Sequence, residues 1–585
     1  MDFSVDSSQS AAGTASVAVV MPSTPPNPWA RRLKGLLGRP MFQRLASVVV
    51  VLAVWQLYGV HHTFVTSYPS AIFRAAVHDF GPQVLPAFRE TLKSFGLGFG
   101  ICVVAGIPIG LAMARIRLAR LVLEPYVNTL YSLPMVALFP LLILAFGIGF
   151  ELRVGATVLF GLFAVVVNTY VGATSVDPAF EDAAKVFTAS PWKRLTTVIL
   201  PASLRYIFAG IRIGFGHGMI GAVVIELEAS ALGVGSLLGD DARAIRLDKF
   251  FVVVFTLGFF SIVCGIIMRL LERALVEPWT RPRMLRPRSA PTGFVLRPRP
   301  TPGRFTTGKE SLRRQLAKGA GEVAGVVNAV IRNVWGAWAV RIVVLAALLG
   351  YWQLASRHIS KAVLPAPLSV ARSLYHQTIV DHSLFGPLRD SLELLVVGFV
   401  VAVAAGVVIG LAMGQFRWVS NVLDPYITFL YALPHAVFIP LMVVWLGFDF
   451  KFGLAYVVIS AVFPVIINAM QSVRSLKSEY IDTARSFCAS RWDTTRTVVL
   501  PNAIPYIVTG ARIAFSVSWI AVVVSEVLSS QNGLGGLITV YGNSYRSADM
   551  VVPVVGITVI SVSILQFTTW LQPRLTPWSH SSLGN

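Results

Sequence analysis

Residue types that carry covalent chemistry are thinly spread in this 585-residue sequence. Its cysteines, Cys102, Cys264 and Cys488, are scattered and odd in number, which fits neither a disulfide framework nor a metal site. The adjacent pair His61-His62 has no second cluster of ligands near it. A membrane-embedded enzyme needs a paired nucleophile and base, or clustered ligands, and finds no support. Gly303 to Lys309 nearly spells a phosphate-binding loop. Glu310 stands where a hydroxyl should hold magnesium, however, and the flanks are rich in Pro and Arg rather than strand and helix. The match is read as chance in a biased stretch.

What the chain keeps twice is a polar stretch, Glu181 to Pro201, which returns 300 positions later as Ile481 to Pro501. Ala184, Phe187, Thr188, Pro191 and Leu195 fall near one helical face, as do Ile481, Ala484, Phe487 and Cys488. Glu181 and Asp182 sit early in the first helical pattern, where the helix dipole favours acids. Ser190 before Pro191 reads as an N-cap followed by proline at the first helical position. Ser490 with Asp493 resembles a capping box. Each copy thus predicts two short helices joined by a tight corner. An interfacial anchor is the alternative, but it requires a strong apolar face. A docking surface for a water-soluble partner suits these loops better.

The elements that must hold the loops are apolar. The sequence is 55% hydrophobic and 13% charged, which places it among membrane proteins. Apolar runs near 45–60, 91–114, 121–148, 152–175, 202–227 and 250–271 approach the ~20 residues a crossing helix needs. A second set lies near 334–355, 391–414, 421–447, 452–473, 502–528 and 550–571. The net charge of +21 would suggest nucleic acid in a soluble chain, but the basic residues flank apolar runs. Arg31, Arg32, Lys34, Arg39 and Arg44 place the N-terminus in the cytoplasm, and Arg115, Arg117, Arg120, Lys185, Lys193 and Arg194 fall on the same side. The connections near 61–90 and Asp240–Lys249 then lie outside.

The expected organisation is a disordered tail (1–40), a first six-helix repeat (41–271), a basic cytoplasmic linker (272–333), a second repeat (334–572) and a cytoplasmic tail (573–585). Without a gap, 30 of the 90 positions from 121 to 210 equal those from 421 to 510, with prolines, glycines and polar residues aligned. This is a parallel internal duplication, since six crossings separate equivalent points. The spacing Gly106/Gly110 and Gly406/Gly410 predicts close helix packing, and Asn168 and Asn468 predict bonds between helices.

The polar stretch resembles the EAA loop of ATP-binding-cassette importer permeases, with Ala189-Ser190, Trp192 and Leu200-Pro201 in one copy and Ala489-Ser490, Trp492 and Leu500-Pro501 in the other. YSLPMVALFPLLILAFGIG and YALPHAVFIPLMVVWLGF look like the third-helix signature of the nitrate, sulfonate and taurine branch. The resemblance covers about 86–271 and 386–571. It departs at Glu181-Asp182-Ala183-Ala184 and Ile481-Asp482-Thr483-Ala484, which degrade Glu-Ala-Ala, and at Thr188 and Cys488, which replace the family glycine. If that glycine is left-handed, a β-branched threonine is strained there.

The resemblance implies an all-α membrane protein of twelve crossings, two fused permease halves around one pathway for small oxyanions or organic acids. It implies two copies of a separate ATPase carrying ATP and Mg, an extracytoplasmic binding protein, and no cofactor on this chain. The loop residues Glu181, Asp182, Ala183, Ala184, Phe187, Ala189, Ser190, Trp192, Asp482, Ala484, Phe487, Ala489, Ser490 and Trp492 would meet the ATPase. The expected location is a bacterial inner membrane with both termini cytoplasmic.

Pathway candidates are polar or helix-breaking residues at membrane depth. Leu133-Pro134 and Leu433-Pro434 interrupt the third helix, and broken helices often line transport sites. After them the halves differ, with Met135 in one and His435 in the other. Arg212 and Arg512 either attract anions or snorkel to cytoplasmic head groups, which lie within ~17 Å at helical rise. Glu226 and Glu526 either meet the delivered solute or its carrier or form an outer-surface ion pair. A major-facilitator transporter, the rival reading, also has two parallel six-helix halves, but it needs intramembrane coupling acids that are nearly absent here.

Overall fold

The computed structural model describes residues 40–63, 65–229, 232–280, 334–360, 363–529 and 532–575. The described residues contain helices and no strand. In the first half these are α1 (Pro40–His61), α2 (Pro69–Asp79), α3 (Leu85–Arg115), α4 (Arg117–Ser132), α5 (Phe139–Phe146), α6 (Phe150–Thr174), α7 (Pro178–Val186), α8 (Pro191–Arg194), α9 (Leu200–Ala229), α10 (Val234–Arg243) and α11 (Leu247–Thr280). The second half repeats the order as α12 (Val334–Ala355), α13 (Pro367–Tyr375), α14 (Phe385–Gln415), α15 (Arg417–Ala432), α16 (Ile439–Leu446), α17 (Phe450–Arg474), α18 (Ser478–Ser486), α19 (Arg491–Thr494), α20 (Leu500–Ser529), α21 (Gly533–Asn543) and α22 (Ser547–Leu575).

Among the described residues, ten helical stretches are long and apolar enough to cross a membrane, or up to twelve if each bent pair counts as one span. The bent pairs are the expected third crossings. Leu133-Pro134 turns α4 through 100° into the 3-10 turn Met135–Leu138 and α5, and Leu433-Pro434 turns α15 through 94° into His435–Phe438 and α16. Proline cannot donate to the helical ladder and pushes the residue before it out of the helical region. Leu133 and Leu433 are accordingly extended, with ψ of 132° and 141°. The expected outer connections are not plain loops but carry the helices α2 and α10. The expected boundary at 271 also gives way, because α11 continues to Thr280. The N-terminal tail before Pro40, the linker from 281 to 333 and the end of the chain from 576 lie outside the described residues.

Within each half, α3 packs along α6 and α6 along α9, with α14, α17 and α20 doing the same. Small residues permit the approach. A Cβ at Gly106 would lie 2.9 Å from the Val165 side chain, and one at Gly410 would lie 2.6 Å from the Ile466 carbonyl oxygen. The asparagines depart from expectation. Asn168 and Asn468 donate to Ala164 and Pro464 in their own helices, both at 2.8 Å, while Gly210 and Gly510 rest on their Cβ atoms.

The halves meet through the broken segments. Met135–Leu138 packs on α20 and His435–Phe438 on α9, so each break is covered by the long fifth-crossing helix of the opposite half. Leu133, Val136, Ala137, Ala436, Ile439, Trp519, Val522 and Val523 share one core across that contact. First helices are exchanged as well, α1 lying on α15 and α12 on α4. Arg44 pairs with Asp424 at 2.9 Å, and Asn421 donates to Gln43 at 2.7 Å.

Gly410→Ala is expected to lower the midpoint of thermal denaturation in detergent, the overpacking costing about 1–3 kcal/mol. Gly265→Ala, whose added carbon meets nothing within 4 Å, is the control and should leave the midpoint unchanged or slightly raised. Equal effects from both would remove close packing as the role of Gly410.

Candidate functional site

The two polar stretches fold as predicted from their capping residues. Asp177 accepts from the Ala179 amide at 2.8 Å and starts α7. Ser190, with ψ of 156°, accepts from the Lys193 amide at 3.3 Å ahead of Pro191. In the second copy the capping box is complete, the Asp493 amide donating to Ser490 Oγ (3.1 Å) and the Ser490 amide to Asp493 Oδ2 (3.3 Å).

Thr188 and Cys488 hold φ of 55° and 53°, so the corner is left-handed in both copies. The Ala189 amide donates to Ala184 O at 3.0 Å and the Thr188 amide to Lys185 O at 2.8 Å, the six-to-one and five-to-two bonds of a Schellman stop. The Ala489 amide repeats the longer bond to Ala484 at 3.1 Å. The corner is therefore the one a glycine would make, kept at a cost of roughly 1–2 kcal/mol for each side chain forced into it. The stop leaves an aromatic at each tip. Phe187 and Phe487 are 83% and 82% exposed, and Trp192 and Trp492 are 73% and 71% exposed. Ala184 and Ala484 are half-buried, while Asp182, Ala183 and Asp482 are exposed.

The two loops differ in how they are held. Arg115, at the end of α3, pairs with Glu181 at 2.6 Å and donates to the Ala173 carbonyl at 3.2 Å, tying α7 to α3 and α6. The equivalent positions in the second half are Gln415 and Ile481, which form no such pair. There Arg474 donates instead to Ser420 at 2.6 Å, bracing α17 against α15. A pocket beside the first loop is lined by Arg115, Glu181, Pro191, Trp192 and Arg194.

The pathway candidates divide. Leu133, Pro134, Met135, Leu433 and Pro434 are buried in the contact between halves, and His435 beside them is half-buried. Arg212 does not face that contact. It pairs with Glu272 of α11 at 2.8 Å and stays 45% exposed, and Arg512 donates to Thr569 of α22 at 3.4 Å. Both thus reach across to the last helix of their own half.

Glu226 and Glu526 are corrected too. They lie at the outer ends of α9 and α20, but they are 0% and 5% exposed, out of reach of an outer-surface partner. Glu226 accepts from Thr91 Oγ1 (2.8 Å) and the Gly235 amide (3.1 Å), while Thr91 Oγ1 accepts from the Val234 amide (2.9 Å). Glu526, Ser391, Leu534 and Gly535 make the same knot at 2.6, 2.9 and 2.9 Å. The carboxylate thus caps α10 or α21 and pins it to α3 or α14. Gly233 and Gly533, at φ of 111° and 92°, let the chain pass over the carboxylate, since a Cβ there would fall 2.2 Å from its carbon. Sequence reading missed Thr91, Ser391 and these glycines, although their recurrence 300 positions apart was the available signal. Only Glu226 has a cation nearby, Arg153 Nη1 at 3.7 Å; position 453 is glycine.

Two stretches of the chain, residues 106–277 and 402–579, match the binding-protein-dependent transport system inner membrane component family. The chain belongs to that family, as two tandem permease repeats in one multi-pass membrane protein. It is similar to the taurine transport system permease protein TauC of Escherichia coli K12, with 32% identity over 241 residues, 40% of this chain and 87% of that protein. The bicarbonate transport system permease protein CmpB of Synechococcus elongatus is 32% identical over 243 residues, 39% of this chain and 87% of the relative. The nitrate import permease protein NrtB of Leptolyngbya laminosa is 27% identical over 236 residues, 39% and 85%. The family match leaves the major-facilitator reading without support.

Glu526→Ala is expected to orphan the Ser391 hydroxyl and the Gly535 amide and to destabilise the protein by about 1–3 kcal/mol, read as a lower midpoint of chemical denaturation. Ser391→Ala should act in the same direction, and the double variant should cost clearly less than the sum. Additive effects would mean that the two groups do not act through a shared knot.

Proposed function

We propose that this chain forms the translocation pathway of an ATP-driven importer, with two copies of a separate ATPase docked on its loops. What carries the reading is the pair of capped corners with Phe187 and Trp192, and Phe487 and Trp492, standing in solvent. A rigid turn transmits a push better than a flexible one, and α8 and α19 run directly into α9 and α20, which cover the breaks of the opposite half. Movement of an ATPase pair would thus reach the contact between halves through one continuous helix on each side. ATP and Mg reside on the ATPase. An extracytoplasmic binding protein delivers the solute to the opposite face, and the loops and both termini lie in the cytoplasm of a bacterial cell. The relatives named for taurine, bicarbonate and nitrate support a small anion as the solute.

The test is to purify the chain with the ATPase encoded beside it. The expected result is co-elution and ATP hydrolysis stimulated by the binding protein. Phe187→Asp with Phe487→Asp should abolish co-elution and lower uptake by about tenfold or more while the chain still elutes as a single species. Uptake driven by an ion gradient in the absence of any ATPase would overturn the reading. A charge at Ala184 and Ala484 together should leave ATP hydrolysis running but uncoupled from uptake.

A further inference from the structure

The duplication makes departures from symmetry easy to see, and three of them gather where the halves meet. His435 follows the break before α16, where the first half has Met135. Its ring stacks on Phe463 with centroids 5.6 Å apart, and its buried Nε2 has no hydrogen-bond partner among the described residues. Ser460, one helical turn before Phe463, is buried next to Tyr456, and its counterpart is Phe160. The segment His435–Phe438 packs on α9, and α9 carries His217 where α20 has Val517. His217 shares a helical face with Ile220, which packs on the core containing Ala436 and Ile439.

Depth agrees with this placement. His217 lies 17 residues beyond the start of α9, ~26 Å along the helix from its loop end, and the 16 residues of α15 carry the chain ~24 Å from the same side before the break. An imidazole is expensive in an apolar bundle, and an orphaned buried ring nitrogen costs the desolvation of that group. Two histidines and a serine on one side of an otherwise apolar contact are not needed to hold the halves together, since Met135, Phe160 and Val517 serve on the other side.

We propose that His217 and His435, with the Ser460 hydroxyl, form a one-sided binding point for the anionic group of the solute as it passes between the halves. The ligand class is a small sulfonate, carboxylate or comparable oxyanion, which takes N–H and O–H donors. The solute class rests on the importer reading above. Off-axis placement means that a solute with one anionic end is held by one wall of the pathway, its neutral end against the Met135 wall.

The test needs neither ATP nor a partner, so its failure is separable from failure of the importer reading, which is judged by ATP-driven uptake. The full chain carrying His435→Cys, in nanodiscs, is treated with sulfonatoethyl or trimethylammonioethyl methanethiosulfonate. Labelling at position 435 is read by peptide mass spectrometry against exposed Cys488 of the same molecule. We expect position 435 to be labelled and the anionic-to-cationic ratio there to fall about fivefold when His217→Val is added. Using the ratio cancels any change in thiol reactivity. His217→Cys with and without His435→Met should behave as the mirror image. Met135→Cys should show a low ratio that His217→Val does not alter. An unlabelled position 435 beside a labelled Cys488, or a ratio indifferent to the second histidine, overturns the proposal.

Discussion

A bilayer supplies no hydrogen-bond partners, so wherever this chain leaves the α-helix at membrane depth, protein must cover the exposed backbone. Both Leu-Pro breaks impose that demand, and each is met in part from the opposite half. Met135–Leu138 is closed over by α20 and His435–Phe438 by α9. This reciprocity ties the assembly of two repeats to the breaks themselves. It also means that anything altering the angle of α9 or α20 acts on the opposite half's break. Those helices begin at the polar loops, through wide turns at Leu195–Ile199 and Thr495–Val499 that accommodate Pro201 and Pro501.

Among the many differences between the repeats, three alter charge or polarity at the features described above. Arg115–Glu181 straps one loop and has no equivalent in the other. Arg153 stands near Glu226, while Glu526 is held by hydrogen bonds alone. His217 and His435 lie where the repeat has Val517 and Met135. Some packing glycines recur: Gly106 with Gly406, Gly210 with Gly510, and Gly233 with Gly533.

Helical class, the duplication and the capped loops were legible because each rests on local chemistry: period, proline, and Ser or Asp at caps. Ser190, Ser490 and Asp493 act as their spacing predicts, and the left-handed corner survives at Thr188 and Cys488 although glycine is gone, because the Schellman bonds fix it. What the sequence could not show depends on distant partners. Glu226 looked like a surface acid because it nears the end of an apolar run, yet Thr91, 135 residues away, and the fold-back at Gly233 bury it. Arg212 gave no sign of Glu272, which was assigned to a linker and proves to lie within α11. The asparagines looked like interhelical glue but satisfy carbonyls of their own helices.

The exchange of first helices has a bearing on how such a chain is inherited and made. With α1 clasped to α15 through Arg44–Asp424 and Gln43–Asn421, and α12 to α4, the halves are interlocked by their first helices. Fusion then supplies stoichiometry: one left and one right half are synthesised in equal number, side by side, each with its clasp already in reach. Such a gene can let its two copies drift apart in polarity, because no half ever has to recognise its own twin.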